Sequence, residues 1–417
     1  MNEKGIKKGI KKGIKKGIKK NEALLWLGSW TSKFGNIVFD YANSISIVSF
    51  FAGKPIVMAL YQSSETIIQI IFNLVGGVKA DNGNRKRLVV ITDILAALIC
   101  FVLSFLIDSG RMAMAIIAAN ALLALVYAFN SPTYKSLVRE MIYKDRIGFF
   151  NSIAHAGSEI IGITGPILSV GLVAVIGTRG ALLFDAMTFL VSALLECCLV
   201  RVVETPSKVR GSQNVITDII EGIKYLLSER QIFFLVILSA LVNFFLAGYN
   251  LLLPYTDVMY KGIFDNFYSK ALAMEAVGGI LGSLVISKVA DRFKDNVYIM
   301  ILFLSGTGIA MLAEPIIALL QNMYLCLIPF AIFGISLTVF NIIFMSHVQV
   351  SVDENFLGRV FSIIFTVAVL FMPVGSFSFS AFVDAKSVGS FAIVGGGIVI
   401  LSLMSIFILK AIERRNG

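Results

Sequence analysis

The sequence contains few of the side chains on which most enzymes depend. It has two histidines and four cysteines among 417 residues, and the spacing of the cysteines fits neither a metal site nor a disulfide framework. A phosphate-binding loop that ends in Lys-Ser or Lys-Thr is absent, and so is a zinc-protease helix motif. These absences argue against an enzyme, an ATP-driven pump, a bound metal and any cofactor.

Charged residues are also scarce. They make up 15% of the chain, whereas hydrophobic residues make up 57% and the mean hydropathy is +0.85. This composition is typical of a polytopic membrane protein. A spanning helix takes about 20 apolar residues, and the chain has about twelve such runs. We place them at 22–52, 55–79, 87–108, 112–131, 148–176, 180–200, 230–257, 267–290, 297–319, 322–347, 358–383 and 388–410.

The cationic residues are unevenly distributed between the two sides of this arrangement. Most of the 36 Lys and Arg residues fall on one side of the predicted spans. Because Lys and Arg accumulate in cytoplasmic loops, both termini are predicted to be cytoplasmic. An odd number of spans would remove this asymmetry.

The net charge of +10 comes largely from the first twenty residues, which contain nine lysines and four copies of Gly-Ile-Lys-Lys. The basic residues therefore do not indicate a nucleic-acid partner. Because glycine weakens helices, we expect this tail to be disordered in solution. Near a bilayer it is expected to bind anionic lipids, with roughly 1 kcal/mol for each basic residue at the surface. A dispensable repeat expansion is the alternative.

Two loops with related sequences divide the chain into halves. The loop Gly77–Arg87 follows the second span, and the related segment Ser287–Lys294 follows the eighth, so that Asp81 and Asp291 are 210 residues apart. Gly165 and Gly375 show the same separation. We predict two pseudo-symmetric six-helix bundles at 22–200 and 230–410, tails at 1–21 and 411–417, and a linker at 201–229 that contains an amphipathic helix along the inner membrane surface.

Five segments together resemble the major facilitator superfamily, and in detail its macrolide-efflux-type branch of bacterial exporters. They are Gly77–Arg87, Asn130–Val138, Gly162–Pro166, Phe184–Ala186 and Leu357–Ser362. The resemblance covers residues 22–410. It implies an all-α integral membrane fold with twelve transmembrane helices, located in a bacterial cell membrane.

In that superfamily the loop after the second span acts as a conformational latch. Asp81 is expected to meet the positive end of a helix that starts near Gly358. Asn82 and Asn84 depart from the family pattern at positions where a cation and a glycine are usual. A loop that only sets the topology is the alternative. The latch residues implied by the resemblance are Gly77, Asp81, Arg85, Lys86, Arg87, Asp291, Arg292, Gly358 and Arg359.

The resemblance also implies a bendable element in the fifth span that is associated with exporters. Gly162, Gly165 and Pro166 supply a version of it, although Ser169 interrupts the usual paired glycines. Small residues at this place allow close helix packing, and proline permits a bend.

Polar residues recur at helical spacing along the first, second and fifth spans. Ionisable residues at membrane depth are costly and usually functional. We expect Asp40 and Glu65 to exchange protons, with Glu159 and Glu275 as second candidates. A fixed ion pair or a packing role is the alternative for each, since Lys33 could neutralise Asp40. Asp185 and Glu314 are expected to be structural.

Other polar and aromatic residues on the same spans could line a path for an amphipathic substrate. Packing or lipid contact is the alternative for each of them. The predicted lining residues are Asn36, Gln62, Tyr127, Asn130, Asn243, Asn250 and Asn341.

We therefore expect a secondary transporter that exports a small lipophilic or amphiphilic compound in exchange for protons, by alternating access. Two other functions remain open. One is a lysolipid or peptide flippase of the same fold without proton coupling, and the other is a membrane sensor or scaffold that binds a ligand without transporting it.

Overall fold

A computed structural model of the chain is helical almost throughout, and the residues that it describes contain no strand. The described backbone comprises residues 3–51, 53–82, 84–107, 110–201, 215–287, 296–352 and 357–416. Within these ranges the side chains are described except at 3–18, 73–82, 139, 144–145, 147–148, 152, 155–156, 159, 163, 215–220, 222, 287, 346, 349–350, 357–359, 361–362, 365, 413 and 415–416.

The chain forms two compact units. The first consists of Met1–Ser46 and Ile67–Val209, and the second of Ile47–Thr66 and Arg210–Gly417. The residue boundaries of the five predicted segments stay a prediction.

The helices up to the middle of the chain are long. They are α1 (Glu3–Phe51), α2 (Pro55–Asn82), α3 (Arg85–Leu106), α4 (Met112–Met141) and α5 (Lys144–Cys197).

The remaining helices begin with the predicted amphipathic helix, α6. Within the described residues it is followed by seven further helices and one short 3-10 turn at Leu253–Tyr255. They are α6 (Val215–Ser228), α7 (Arg230–Leu252), α8 (Thr256–Met259), α9 (Phe267–Ser287), α10 (Val297–Ala318), α11 (Met323–Ser351), α12 (Leu357–Phe382) and α13 (Ser390–Asn416).

Helices occupy all twelve predicted spans. The fifth and sixth spans are both in α5, whose helical backbone is interrupted at Gly177, with φ 70° and ψ 175°. Glycine adopts a positive φ without the steric cost that a Cβ imposes. The interruption separates helical segments at 144–176 and 178–197, close to the predicted boundary.

Eight stretches of the described helices are long and apolar enough to cross a membrane. They are Arg85–Leu106, Met112–Val138, Thr164–Cys197, Arg230–Met259, Phe267–Ile286, Val297–Ala318, Met323–Met345 and Ser390–Ile412. A shorter apolar helix covers Thr366–Phe382 in the eleventh predicted span. The chain is therefore a multi-pass membrane protein. The first and second spans are absent from this set, and they carry two of the polar stripes noted above.

The basic tail differs from the sequence expectation. Instead of a disordered segment, the structure shows α1 starting at Glu3 and continuing without a break to Phe51. The physical reason is cooperativity: adding residues to an existing helix avoids the cost of nucleation, which an isolated repeat would have to meet.

Asparagine side chains cap the first turns of three helices. Asn84 accepts a hydrogen bond from the backbone nitrogen of Arg87 at the start of α3. Asn296 and Asn322 cap α10 and α11 in the same way. An asparagine oxygen satisfies a backbone donor that the first turn leaves unpaired. This role accounts for asparagine at position 84, where the family pattern has glycine.

Glycines bring pairs of helices into close contact in the second unit. A Cβ on Gly395 of α13 would lie 2.5 Å from the carbonyl oxygen of Gly308 and 2.7 Å from the backbone nitrogen of Leu312, both in α10. Gly278 and Gly282 of α9 face backbone carbonyls of α11 in a similar way. The absence of a side chain at Gly395 thus allows α13 to contact the backbone of α10.

Neighbouring glycines in α13 allow a matched stability test. Gly395→Ala is expected to lower the free energy of unfolding by about 1–3 kcal/mol, because backbone atoms of α10 block the added methyl group. Gly396→Ala is expected to raise it by up to about 1 kcal/mol, because its nearest neighbour is Leu312 Cδ2 at 3.8 Å and alanine favours helix. Thermal unfolding in detergent measures both, and equal midpoints for the two variants would contradict the packing described here.

Candidate functional site

The first unit contains a polar cavity of about 260 Å³ between α1, α3, α4 and the last part of α5. Its wall combines carboxylates, ammonium groups, hydroxyls, amides and aromatic rings. The lining residues are Ser29, Ser32, Lys33, Asn36, Asp93, Tyr127, Asn130, Ser131, Tyr134, Lys135, Phe189, Ser192 and Glu196.

Two buried acids lie in the wall of this cavity. Asp93 of α3 is 6% exposed, and Glu196 near the end of α5 is 3% exposed. The amide nitrogen of Asn130 donates to Asp93 Oδ1 at 3.0 Å and to the hydroxyl of Thr92 at 2.8 Å. Among the described residues, Glu196 Oε2 has no hydrogen-bond partner. The protein therefore supplies a hydrogen-bond donor to the carboxylate of Asp93, whereas one carboxylate oxygen of Glu196 receives none from the described residues.

Lysine 33 faces the same cavity from α1, but its hydrogen bond points elsewhere. Its Nζ donates to the carbonyl oxygen of Ser158 at 2.7 Å. Trp26 and Trp30 donate from the same helix to the carbonyls of Phe150 and Ala154, at 3.1 and 3.2 Å. Three side chains along α1 therefore contact successive turns of α5.

Aromatic residues supply another part of the cavity wall. The hydroxyl of Tyr127 donates to Asn36 Oδ1 at 2.6 Å, and its ring centroid lies 6.2 Å from that of Phe189. The hydroxyl of Tyr134 donates to the carbonyl oxygen of Leu25 at 3.0 Å. These hydrogen bonds fix the positions of both tyrosine rings.

Three of the predicted lining residues come together in this cavity: Asn36, Tyr127 and Asn130. The other four belong to the second unit. Gln62 donates to the backbone oxygen of Asn250 at 3.0 Å, and the side chain of Asn243 donates to the carbonyl of Ser239 on its own helix. Asn341 is exposed on α11.

The three predicted proton-exchanging acids whose side chains are described, Asp40, Glu65 and Glu275, do not line this cavity. Asp40 is exposed on α1, and Glu65 is half-buried on α2. Glu275 of α9 accepts a hydrogen bond of 2.7 Å from the hydroxyl of Tyr249, whose ring stacks on Phe333 with centroids 4.0 Å apart. The side chain of Glu159 lies outside the described residues. The assignment of proton exchange to these four acids stays a prediction.

Part of the predicted latch binds an acid within the first unit. Arg85 of α3 contacts Glu140 Oε1 at 2.7 Å, and Arg201 contacts Glu140 Oε2 at 2.9 Å. Lys86 donates to the carbonyls of Cys197 and Leu199, at 2.7 and 2.8 Å. These bonds join the start of α3 to the ends of α4 and α5.

The other latch residues cannot be placed in this network. Arg87 lies in the first turn of α3 and is exposed. Asp291 and Arg292 lie outside the described residues, and so do the side chains at Gly77, Asp81, Gly358 and Arg359. The conformational role of the latch stays a prediction.

The predicted hinge of the fifth span packs closely on α1. A Cβ on Gly165 would lie 2.8 Å from Ile37 Cδ1, and one on Gly162 would lie 3.7 Å from the Nζ of Lys33. Ser169, which replaces a usual glycine, is fully buried and donates to the carbonyl oxygen of Gly165 at 2.7 Å. Pro166 follows Gly165 within the helix. Gly165 therefore packs closely on α1, whereas hinge motion stays a prediction.

Asp185 and Glu314 are buried and hydrogen-bonded within their own units. Asp185 accepts hydrogen bonds from Cys100 Sγ at 3.3 Å and from the hydroxyl of Thr188 at 3.1 Å. Glu314 accepts one from the hydroxyl of Tyr260. These contacts agree with a structural role.

Sequence reasoning missed Asp93 and Glu196. Asp93 is the only acid of α3, and Glu196 shares the sixth span with Asp185, but neither belongs to the polar stripes of the first, second and fifth spans. The signal that could have found them is the cost of any ionisable side chain at membrane depth. No group of three His, Cys, Asp or Glu residues that could hold a metal ion occurs in the described part of the chain.

The contacts of Glu140 generate a stability prediction with an internal control. The side chain of Arg85 is 18% exposed, that of Arg201 is 55% exposed, and both bind the buried Glu140. Arg85→Gln is expected to lower the free energy of unfolding by about 3 kcal/mol, because it leaves a buried charge without its better-shielded partner. Arg201→Gln is expected to cost under about 1 kcal/mol, because exposed ion pairs contribute little. Unfolding in detergent tests the difference, and equal losses would refute it.

Comparison with known proteins finds that this chain is similar to membrane transporters. The model of the Major Facilitator Superfamily matches residues 25–376. Macrolide efflux protein A of Streptococcus pyogenes is 18% identical, over 90% of this chain and 92% of its own length. Multidrug efflux pump Tap of Mycolicibacterium fortuitum is 22% identical, over 91% of this chain and 95% of its own length. The crystal structure of the nucleoside transporter NupG aligns with a TM-score of 0.73 at 14% identity, covering 93% of this chain and 99% of that one.

These findings confirm both the predicted all-α membrane fold and the resemblance to macrolide-efflux proteins. The chain belongs to the major facilitator superfamily.

Proposed function

We propose that this protein is a secondary transporter that exports a lipophilic or amphiphilic compound across the bacterial cell membrane in exchange for protons. Membership of a transporter family supports transport rather than catalysis. The direction and the substrate class are supported by two relatives whose names describe macrolide efflux and multidrug efflux, each aligned with about nine-tenths of the chain.

The polar cavity of the first unit is the observation that carries the proposal. In a membrane-spanning fold, polar and ionisable side chains that face a cavity mark substrate or ion pathways, because placing them in contact with lipid is costly. Here the lining combines Asp93, Glu196 and Lys33 with aromatic rings of Tyr127 and Tyr134. A mixed polar and aromatic surface of this kind suits an amphiphilic compound.

Proton exchange is assigned to Asp40 and Glu65, with Glu159 and Glu275 as further acids. A carboxyl group can carry a proton if its surroundings change between the two access states, since burial favours its neutral form and water its ionised form. Alternating access supplies this change. The latch and the fifth-span element would bias the equilibrium between the two states.

The basic tail is proposed to lie at the cytoplasmic membrane surface with anionic lipids as partners. The orientation with both termini cytoplasmic places the lysines of residues 4–20 next to the leaflet rich in anionic headgroups. As the start of α1, the tail is joined to the first span by continuous helix. Because a helix rises about 1.5 Å per residue, the lysines closest to the span, Lys19 and Lys20, lie nearest to its end.

Transport in proteoliposomes with an imposed pH gradient tests the proposed function. Ethidium and Hoechst 33342 are suitable fluorescent amphiphiles, and a labelled macrolide extends the panel. We expect gradient-driven movement that falls by at least about tenfold in Asp40→Asn or Glu65→Gln, since a neutral amide cannot exchange a proton. Glu221→Gln, an exposed position on α6, is the control and should transport normally. Movement that needs no gradient and survives both changes would instead indicate a flippase, and no movement of any probe would favour a sensor.

Trypsin tests the proposed role of the tail, because it cleaves after lysine. In vesicles that contain phosphatidylglycerol, the tail of the full chain should be cleaved more slowly than in phosphatidylcholine vesicles. The protection should disappear at about 1 M salt, where the Debye length falls to about 3 Å. Equal cleavage in both kinds of vesicle at low salt would refute binding of the tail to anionic lipids.

A further inference from the structure

We infer that the cavity of the first unit is a binding site for the ammonium head group of an organic cation, with Asp93 and Glu196 as its counter-anions. The inference rests on the proposed function, because it names the class of compound that the exporter carries. It assigns this binding role to acids that lie outside the polar stripes of the sequence.

The first argument comes from the unpartnered oxygen of Glu196. The side chain is 3% exposed and lines the cavity, yet its Oε2 has no hydrogen-bond partner among the described residues. A buried carboxylate without a donor is costly and takes up a proton unless another group neutralises it. A ligand with an N–H donor or a positive charge would remove this cost, whereas an anionic ligand would increase it.

The second argument comes from the aromatic part of the wall. Tyr127 and Phe189 have ring centroids 6.2 Å apart and ring planes inclined by 50°, and Tyr134 lies on the same helix as Tyr127. At this separation the two rings contact each other and leave no space between them for an ammonium group. A cation in the cavity would instead lie against a ring face that lines it, within about 6 Å of the ring centroid, where aromatic faces attract cations. Carboxylates and aromatic rings around one space together favour an organic cation over a neutral polar ligand.

The size of the cavity limits what it can hold. Drug-sized ligands occupy pockets of about 300–1,000 Å³, and this cavity measures about 260 Å³. A trimethylammonium or primary ammonium group fits, but a complete amphiphile does not. The apolar part of the compound would therefore lie outside this cavity.

Two lysines also face the cavity and compete with a bound cation. Lys135 is exposed, so water screens its charge. Lys33 is half-buried, but its Nζ donates to the carbonyl of Ser158, and no described carboxylate lies within 4 Å of it. Lys33 thus forms no ion pair with Asp93 or Glu196, but its positive charge lowers the affinity of the cavity for an organic cation. Removing that charge should strengthen binding.

Choline binding to the purified full chain tests the inference. The only two tryptophans of the sequence, Trp26 and Trp30, both lie on α1 beside the cavity residue Ser29, so intrinsic fluorescence reports on this site. We expect saturable binding of choline and none of 3,3-dimethyl-1-butanol, in which a neutral tert-butyl group replaces trimethylammonium. Titrations at ionic strength matched with sodium chloride control for screening. Equal responses to the two compounds would overturn the inference and leave the cavity as a water-filled space.

Variants of the lining residues test whether choline binding depends on the charge of the two acids rather than on the shape of the cavity. Asp93→Asn and Glu196→Gln should each weaken choline binding by about tenfold or more, the change expected when one charge-assisted contact is lost. Lys33→Gln should bind choline at least as tightly as the unmodified chain. If Glu196→Gln does not fold, as judged by its unfolding midpoint, Glu196→Asp replaces it and should retain binding. Unchanged affinity in folded acid variants would overturn the inference.

The binding measurement is independent of transport. If choline binding depends on Asp93 and Glu196 but proteoliposomes move no probe, the export proposal fails and the cation site stands. If amphiphiles are exported and neither acid affects choline binding, the cation site fails and export stands.

Discussion

Every polar group at the depth of the membrane has to find its partner inside the protein, because lipid supplies none. In the first unit this constraint is met mainly through α1. Trp26, Trp30 and Lys33 donate to carbonyls on three successive turns of α5. The contact is possible because small residues such as Gly157 and Gly165 let the two helices approach closely. The position of α1 in turn fixes the cavity wall to which Ser29, Lys33 and Asn36 contribute.

The same packing occurs in the second unit, at positions related by the sequence offset. Gly165 packs against Ile37, and Gly375 packs against Ala247 and the carbonyl of Phe244. Residues 37 and 247 differ by 210, as residues 165 and 375 do. The internal repeat is therefore visible as an equivalent helix contact in each unit. The polar chemistry is not repeated, because Asn243, the counterpart of Lys33, bonds to its own helix at Ser239. The glycine contact between two helices therefore occurs in both units, whereas the two acids Asp93 and Glu196 line a cavity of the first unit.

The buried acids of the first unit show that the partners of an acid, rather than its burial, distinguish its role. Glu140 has two arginine partners, and Asp185 accepts bonds from Cys100 and Thr188, so both serve to hold helices together. Glu196 is equally buried but has one oxygen without a partner in the described residues. A buried carboxylate oxygen without a partner lowers the stability of the fold, and packing elsewhere has to offset this loss. Such groups are usually retained because they serve a function.

The sequence by itself determined the class of the protein, the place of its apolar helices, the break near Gly177 and the family, because apolar runs, turn residues and motifs are local signals. Of the seven residues that it predicted to line a substrate path, Asn36, Tyr127 and Asn130 lie in the wall of one cavity. Only the tertiary structure decided which acids face a common space. Asp93 and Glu196 are more than a hundred residues apart and lie on different helices, so no periodic pattern in the sequence links them. Their proximity results from how α3 packs against the last part of α5, which depends on side-chain fit across the whole unit.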